Sequence, residues 1–347
     1  MIRILVVDDS PTARALLVQV LRADAEIQIV GEAADGVEAV ELTRRLRPDL
    51  VTMDIQMPRM DGFEATKEIM IETPTPIVVV TGGLDNTEVS VSMLALRAGA
   101  LCVLQKPPGP GAPGHVRETH QVLETLKAMA QVKVVRHRLP APPRNTSRPV
   151  PAARPNGRGD VVAIAASTGG PAILHQLFSL LPGDFPAPIL VVQHMTAGFT
   201  SGLATHLNGS SPLRVKIAEA GDALAPQTVY LAPDERHLAV SNSGTIALSN
   251  APPIGGFRPS ATFLFESVAR AFGAGTVAVV LTGMGEDGVA GLRAVKQAGG
   301  RILAQDEDTS VVFGMPGAAI AAGLADGALP PDAIAAKLVK LTSGGTT

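Results

Sequence analysis

The sequence predicts an α/β protein made of two doubly wound, parallel-sheet domains joined by a tether, and three observations lead there. The chain has 347 residues, more than one ordinary core accommodates. Short β-branched runs alternate with amphipathic segments in two separate blocks, which is the pattern of strands crossed over by helices. Between the blocks, His137 to Gly159 reads HRLPAPPRNTSRPVPAARPNGRG, with six prolines, five arginines and no acids. Such a composition cannot build a core and reads as an extended, mobile tether, with a basic binding strip as the lesser alternative. The expected organisation is a domain over 1–125, a helix end and Pro/Arg-rich linker over 126–158, and a second domain over 159–345.

In the first block IRILVV, IQIVGEA, DLVTMDI, PIVVVTG and CVLQKP have the continuous apolar character of strands buried on both faces. The helical patterns between them are PTARALLVQVLRA, with Pro11 near its start, DGVEAVELTRRLRP, FEATKEIMIE and NTEVSVSMLALRAG, and HVRETHQVLETLKAMA closes the block. In the second block the strands are VVAIAA, PILVVQ, RVKIAEA, TVAVVLTG and RILAQD. Its helices are PAILHQLFSLL, GFTSGLATHLN, PSATFLFESVARAF, GVAGLRAVKQAG and DAIAAKLVKLT. One segment breaks the rhythm: TVYLAP, HLAVS and TIALS are short runs separated by turn residues, expected as an antiparallel hairpin or flap.

Composition narrows the function classes. Hydrophobic residues make up 46% of the chain and aromatics 3%, so the cores are aliphatic. A net charge of −3 offers no basic footprint for nucleic acid and no polybasic membrane patch. Cys102 is the single cysteine, which excludes an intramolecular disulfide and a thiolate zinc site. The N-terminal MIRILVVDDSP is too short and too acidic for a signal peptide or a membrane span. The expectation is a cytoplasmic protein without membrane insertion.

Asp8 and Asp9 close the first strand, Asp54 the third, Thr81 the fourth and Lys106 the fifth. Ligands of open parallel sheets gather at the carboxyl ends of strands. Carboxylates converging there call for a hard divalent cation, and Mg²⁺ suits one or two of them together with phosphate oxygens. A carboxylate beside that ion can attack a phosphoryl group, with Lys106 neutralising the added charge and Thr81 following its arrival. Taken singly, each residue is an ordinary helix-start acid or solvated lysine; together at four strand ends they point to phosphoryl chemistry.

In the second block VVAIAASTGGPAIL puts Ser167 between a strand and a helix whose first turn holds Pro171. A hydroxyl at that place suits a nucleophile flanked by N–H donors, and equally suits a simple helix cap. PILVVQH ends in His194, whereas His175 and His206 fall in helical patterns and His237 in the expected flap. TVAVVLTGMGEDG delivers Glu286 and Asp287 after a third strand. Ser167, His194 and an acid then share one sheet edge, as a Ser–His–Asp relay requires in any chain order. GMGEDG also matches a dinucleotide fingerprint, with Asp306 at the expected distance. Glu286 and Asp287 would, however, oppose a pyrophosphate, and too little chain follows for the remaining strands.

The motifs LVVDDS, MDIQMPRMDG, VVVTG and QKPP resemble a response-regulator receiver domain of flavodoxin-like fold. That resemblance implies Asp54 as phospho-acceptor. Mg²⁺ would be held by Asp9, Asp54 and the Gln56 backbone, with Asp8 acting through water and Thr81 and Lys106 as switch residues. Val103 stands where many receivers carry an aromatic switch residue. AIAASTGGP, VVQHMTAGFT, YLAPDERHL, TGMGEDG and AQDEDTSVVFGMP resemble the Rossmann-like catalytic domain of chemotaxis-type protein-glutamate methylesterases, the CheB family. The resemblance implies Ser167 as nucleophile, His194 as general base and acid, Asp287 as orienting carboxylate, and Thr168 and Met284 near the oxyanion. It departs from the family pattern at HMTAGFT and at Thr262. It further implies methyl ester hydrolysis, with possible glutamine deamidation, on methylated chemoreceptor cytoplasmic domains. The phosphodonor would be a chemotaxis-type histidine kinase, and the esterase reaction itself would need no cofactor. The alternatives at this point are a phospho-regulated esterase of another substrate and a signalling module without catalysis.

Overall fold

The structure, a computed structural model, describes residues 1–82, 86–112, 115–132, 134, 160–241 and 243–343. It divides into two compact units, Met1–Ala141 and Pro142–Thr347. The stretch expected as a tether lies outside the described residues.

The first unit alternates β1 (Ile2–Val7), α1 (Pro11–Arg22), β2 (Ile27–Ala33), α2 (Gly36–Leu46), β3 (Leu50–Met53), α3 (Gly62–Glu72), β4 (Ile77–Thr81), α4 (Asn86–Ala98), β5 (Cys102–Gln105) and α5 (His115–Met129). The helices start where the sequence supplies acceptors for their free N–H groups. The Ser10 hydroxyl accepts from Ala13 and is followed by Pro11, Asp35 accepts from Val37 and Glu38, and Asp61 accepts from Glu64. The five strands pair in parallel in the order β2-β1-β3-β4-β5. This is the flavodoxin-like order, which reverses direction between β1 and β3 and opens a crevice at their carboxyl ends.

The second unit contains β6 (Val161–Ala166), α6 (Gly170–Leu180), β7 (Ile189–Gln193), α7 (Thr200–Ser210), β8 (Arg214–Ile217), β9 (Thr228–Leu231), β10 (His237–Val240) and β11 (Ile246–Ser249). It continues with α8 (Ala261–Phe272), β12 (Thr276–Val280), α9 (Val289–Gln297), β13 (Arg301–Gln305), α10 (Met315–Ala321), β14 (Gly327–Leu329) and α11 (Pro331–Ser343). Seven strands form a parallel sheet in the order β14-β13-β12-β6-β7-β9-β8, and β10 and β11 form a separate antiparallel hairpin. Every residue of β6 is buried, so its continuous apolar run reflects cover on both faces. One face packs against α8 and α9 through a cluster that includes Val161, Leu190, Phe265, Val268, Leu292 and Ile302. Each such side chain contributes about 1.5–3 kcal/mol by leaving water.

One expectation is corrected. TVYLAP belongs to no hairpin: β9 lies inside the parallel sheet, between β7 and β8. All four of its residues are buried, and that run, apolar on both sides, suits an interior strand. The hairpin is β10 and β11 alone, which packs on α8. The seven-residue α10 and the edge strand β14, both rich in small residues, carry no periodicity that would announce them.

Candidate active site

In the first unit the ladder carries the acidic residues to one edge. Asp8 follows β1 and donates its N–H to Ala33, Asp54 follows β3 and donates to Val7, and Lys106 follows β5 and donates to Thr81. Carboxylate oxygens of Asp8, Asp9 and Asp54 all lie within 4.8 Å of one another. The Lys106 ammonium is 2.8 Å from an oxygen of Asp8 and 2.8 Å from one of Asp54, while Asp9 is exposed. Burial pushes the Asp54 carboxyl up to about 6, against the lowering effect of Lys106 and with the help of the Asp8 charge. Lys106 is itself partly buried, yet its bonds to Asp54 and Asp8 hold its ammonium above the usual lysine value. One cation among three hard oxygen donors leaves the cluster short of positive charge, and a divalent ion fits that deficit. Thr81 is buried at the end of β4, Val103 is buried on β5, and Gln56 is exposed.

In the second unit β6 lies between β12 and β7, so the three segments that follow these strands emerge side by side. The ladder runs past the strand ends: Ser167 donates its N–H to Thr282, and His194 donates its N–H to Ala166. The Gln193 amide ties the two turns together, donating to the carbonyls of Ser167 at 2.7 Å and His194 at 2.8 Å. Gly169, at φ 78°, lets the turn after Ser167 double back; a Cβ there would come within 2.6 Å of Val311. Gly283 passes so close that a Cβ would meet Cβ of Ser167 at 2.6 Å.

His194 and Asp287 form a buried pair, with Nε2 3.0 Å from Oδ2. The Asp287 carboxylate also accepts from Ser260 Oγ at 2.8 Å, Ala261 N–H at 2.7 Å and Thr262 N–H at 3.2 Å. It therefore occupies the N-terminus of α8, where the free N–H groups and the helix dipole favour an anion. Burial works to raise its pKa, but the His194 bond and charge, the Ala261 N–H and the Ser260 hydroxyl outweigh it, holding the carboxyl below its usual range. An ionised carboxylate only accepts, so Nε2 carries a proton, and in the neutral ring the lone pair is on Nδ1. Nδ1 is buried and makes no hydrogen bond. The ring stacks on Phe257, centroids 4.2 Å apart and planes inclined by 13°.

The Ser167 hydroxyl makes no hydrogen bond to either ring nitrogen among the described residues. The N–H groups of Thr168 and Met284 likewise donate to no acceptor there. Thr262 turns inward: its hydroxyl accepts from the N–H of Gly288, bracing the turn that carries Asp287. Phe257, Ser260 and Gln193 stand in no motif that marks them as parts of a site. Ser260 carried a signal, as a Ser preceding a helical pattern, but that reads as an ordinary cap. Phe257 lies in a Gly- and Pro-flanked loop whose path only the fold reveals. The GMGEDG turn between β12 and α9 is filled by these bonds to Asp287.

Comparison with known proteins gives a consistent picture. Residues 162–338 match the CheB methylesterase family, and residues 4–112 match the response regulator receiver domain. A protein-glutamate methylesterase/protein-glutamine glutaminase of Myxococcus xanthus is 56% identical over 99% of this chain and 98% of its own. One from Anaeromyxobacter dehalogenans is 54% identical over 97% of this chain and 98% of its own. The crystal structure of the Thermotoga maritima CheB methylesterase catalytic domain aligns with a TM-score of 0.51 and 44% identity, over 53% of this chain and 98% of that one.

Proposed function

The chain belongs to the CheB methylesterase family and carries a receiver domain, and from that premise we propose that Ser167, His194 and Asp287 perform its ester hydrolysis. The protein is a carboxylic ester hydrolase, a protein-glutamate methylesterase and glutaminase like its relatives. The observation that carries the residue assignment is the His194–Asp287 pair, with Nε2 on a carboxylate held in its ionised form and an unpartnered Nδ1 on the other side of the ring.

In this reading Nδ1 of His194 takes the Ser167 proton as Oγ bonds to the carbonyl carbon of a glutamyl methyl ester. The carbonyl π pair moves to oxygen, and the free N–H groups of Thr168 and Met284 receive that charge. When the C=O bond re-forms, the bond to the methoxy oxygen breaks; the imidazolium gives up its proton and methanol leaves. Water then attacks the acyl-enzyme, losing its proton to His194, which returns it to the departing Ser167 oxygen. The products are a glutamate side chain and a regenerated enzyme; with a glutaminyl substrate the leaving group is ammonia. Asp287 stays ionised throughout and stabilises the imidazolium.

The substrates are methylated cytoplasmic segments of chemoreceptors, and a chemotaxis-type histidine kinase supplies the phosphoryl group to Asp54. Asp9, Asp54 and the Gln56 carbonyl would hold Mg²⁺, with Asp8 acting through water. That ion supplies charge neutralisation for carboxylate and phosphoryl oxygens. Asp54 Oδ provides the nucleophile, Lys106 balances the phosphoryl charge, and Thr81 follows it; the state of Asp54 regulates the esterase. Among the described residues no helix is long and apolar enough to cross a membrane.

Methanol release from a methylated receptor fragment tests the reading. Ser167→Ala leaves the fold intact and lowers turnover by roughly 10⁴-fold or more. Near-normal release from that variant refutes the assignment.

A further inference from the structure

His237 lies outside the relay, yet it is fully buried on β10 and uses both ring nitrogens. Nδ1 accepts the backbone N–H of Ser260 at 3.2 Å. An acceptor nitrogen carries no proton, so the proton is on Nε2, which donates to the Pro252 carbonyl at 3.1 Å. The ring is clamped by Phe263, with centroids 4.6 Å apart and planes inclined by 19°. The two bonds tie both ends of one segment to the hairpin: Pro252 at its start and Ser260 at its end. That segment contains Phe257, stacked on His194, and ends at Ser260, which with the next two residues donates to Asp287.

Ala261 and Thr262 point their N–H groups at Asp287, whereas the Ser260 N–H points at His237 instead. Without an acceptor of its own in a fully buried place, it would pull the Ser260 backbone away from the carboxylate. We propose that His237 is a positioning residue for the esterase: a neutral imidazole strut that holds Ser260, and through it Asp287 and the plane of His194. The proposal rests on the relay assignment above, and it assigns His237 no contact with substrate.

Two substitutions separate the two bonds. Asn places its side-chain oxygen near the position of Nδ1, so His237→Asn keeps an acceptor for Ser260. Gln reaches the position of Nε2 and keeps a donor for Pro252 but leaves the Ser260 N–H without a partner. The full-length chain is treated with a small-molecule phosphodonor and Mg²⁺, and methanol release from a methylated receptor fragment is measured per folded molecule. His237→Gln lowers kcat by about 10- to 100-fold with KM within about twofold, the cost of a small displacement remote from the bond being cleaved. His237→Asn stays within about threefold of the parent in kcat. In an Asp287→Asn background, His237→Gln causes little further loss, because the strut acts through that carboxylate.

A second readout needs no turnover. The downfield proton resonance of His194 Nε2–H on Asp287 persists in His237→Asn and is lost to exchange in His237→Gln. Equal kcat losses in both variants, or an unchanged resonance and kcat in His237→Gln, overturn the proposal. If the parent releases no methanol while the resonance still follows this pattern, the esterase reading fails and the positioning role of His237 stands.

Discussion

Replacing Asp287 with Asn tests how the relay is held, because four donors converge on the carboxylate and an amide cannot satisfy them all. Oδ2 accepts from His194 Nε2 and Ala261 N–H, and Oδ1 from Ser260 Oγ and Thr262 N–H. The Ala261 N–H, at 2.7 Å, can never accept, whereas the Ser260 hydroxyl can rotate and do so. The amide oxygen therefore takes the Oδ2 place and the NH₂ group faces Ser260, leaving Thr262, the longest bond at 3.2 Å, without an acceptor. His194 keeps an acceptor at Nε2, so its tautomer is preserved and only the charge is lost. An ion pair with its delocalised charge centres about 4 Å apart is worth up to about 4 kcal/mol at an effective dielectric of about 20, hence up to about 10³-fold in rate. The expected fall in kcat is about 10²- to 10³-fold, short of the roughly 10⁴-fold that follows when a relay is trapped in the wrong tautomer. Methanol release from methylated receptor fragments measures it. A loss of about 10⁴-fold or more would mean that Ala261 does not orient the amide. Denaturant unfolding adds an independent check. The carboxyl is depressed in the folded state, so its contribution is complete above the unfolded value near pH 4. It disappears as the pH falls through the lower folded value, so parent and variant converge in strong acid.

Two further perturbations follow from the same geometry. Phe257→Leu removes the ring stacked on His194, and because such a pair is worth about 0.5–1.5 kcal/mol, kcat falls about 2- to 10-fold with an unchanged melting profile. An undiminished kcat would show that Asp287 alone orients the imidazole. Asp54→Asn abolishes phosphoryl uptake, and in EDTA it stabilises the first unit above pH 6. The parent carboxyl, pushed up to about 6, is destabilising once ionised, by up to about 3 kcal/mol. The gain shrinks as the pH falls from about 6 toward the unfolded value near 4, where the parent carboxyl is neutral in both states. A gain independent of pH, read by urea unfolding, would refute this origin, and added Mg²⁺ stabilises the parent but not the variant.

The parts legible in the sequence are those with a strong local signature. The runs of β3, β5, β6 and β7 are largely apolar, and each is followed at the sheet edge by a polar residue that such a run cannot bury. That rule located Asp54, Lys106, Ser167 and His194 without coordinates. Asp287 was legible for a related reason, since an acid in a Gly-rich turn spoils a phosphate site. TVYLAP was misplaced because strand membership is a tertiary property: a short apolar run looks alike in a hairpin and in a sheet. Phe257, Ser260 and His237 were illegible as parts of the site for a deeper reason. Their work is done through contacts between a loop, a hairpin and a helix end, and no spacing along the chain encodes which backbone N–H will meet which acceptor. The tautomer of His194 was equally hidden, since it depends on which ring nitrogen the ionised carboxylate faces.

The central place of β6 also bears on how the molecule comes to be active. Val161 pairs with Thr276 across a long stretch of intervening chain, while Val162 pairs with Ile189 much nearer by. Chain closure of the first kind is slow, because a long loop must be ordered before any contact repays it. Refolding therefore joins Ser167 to His194 early and brings Asp287 last. Far-UV circular dichroism recovers before esterase activity does, and the interval between the two signals is the time needed to dock β12.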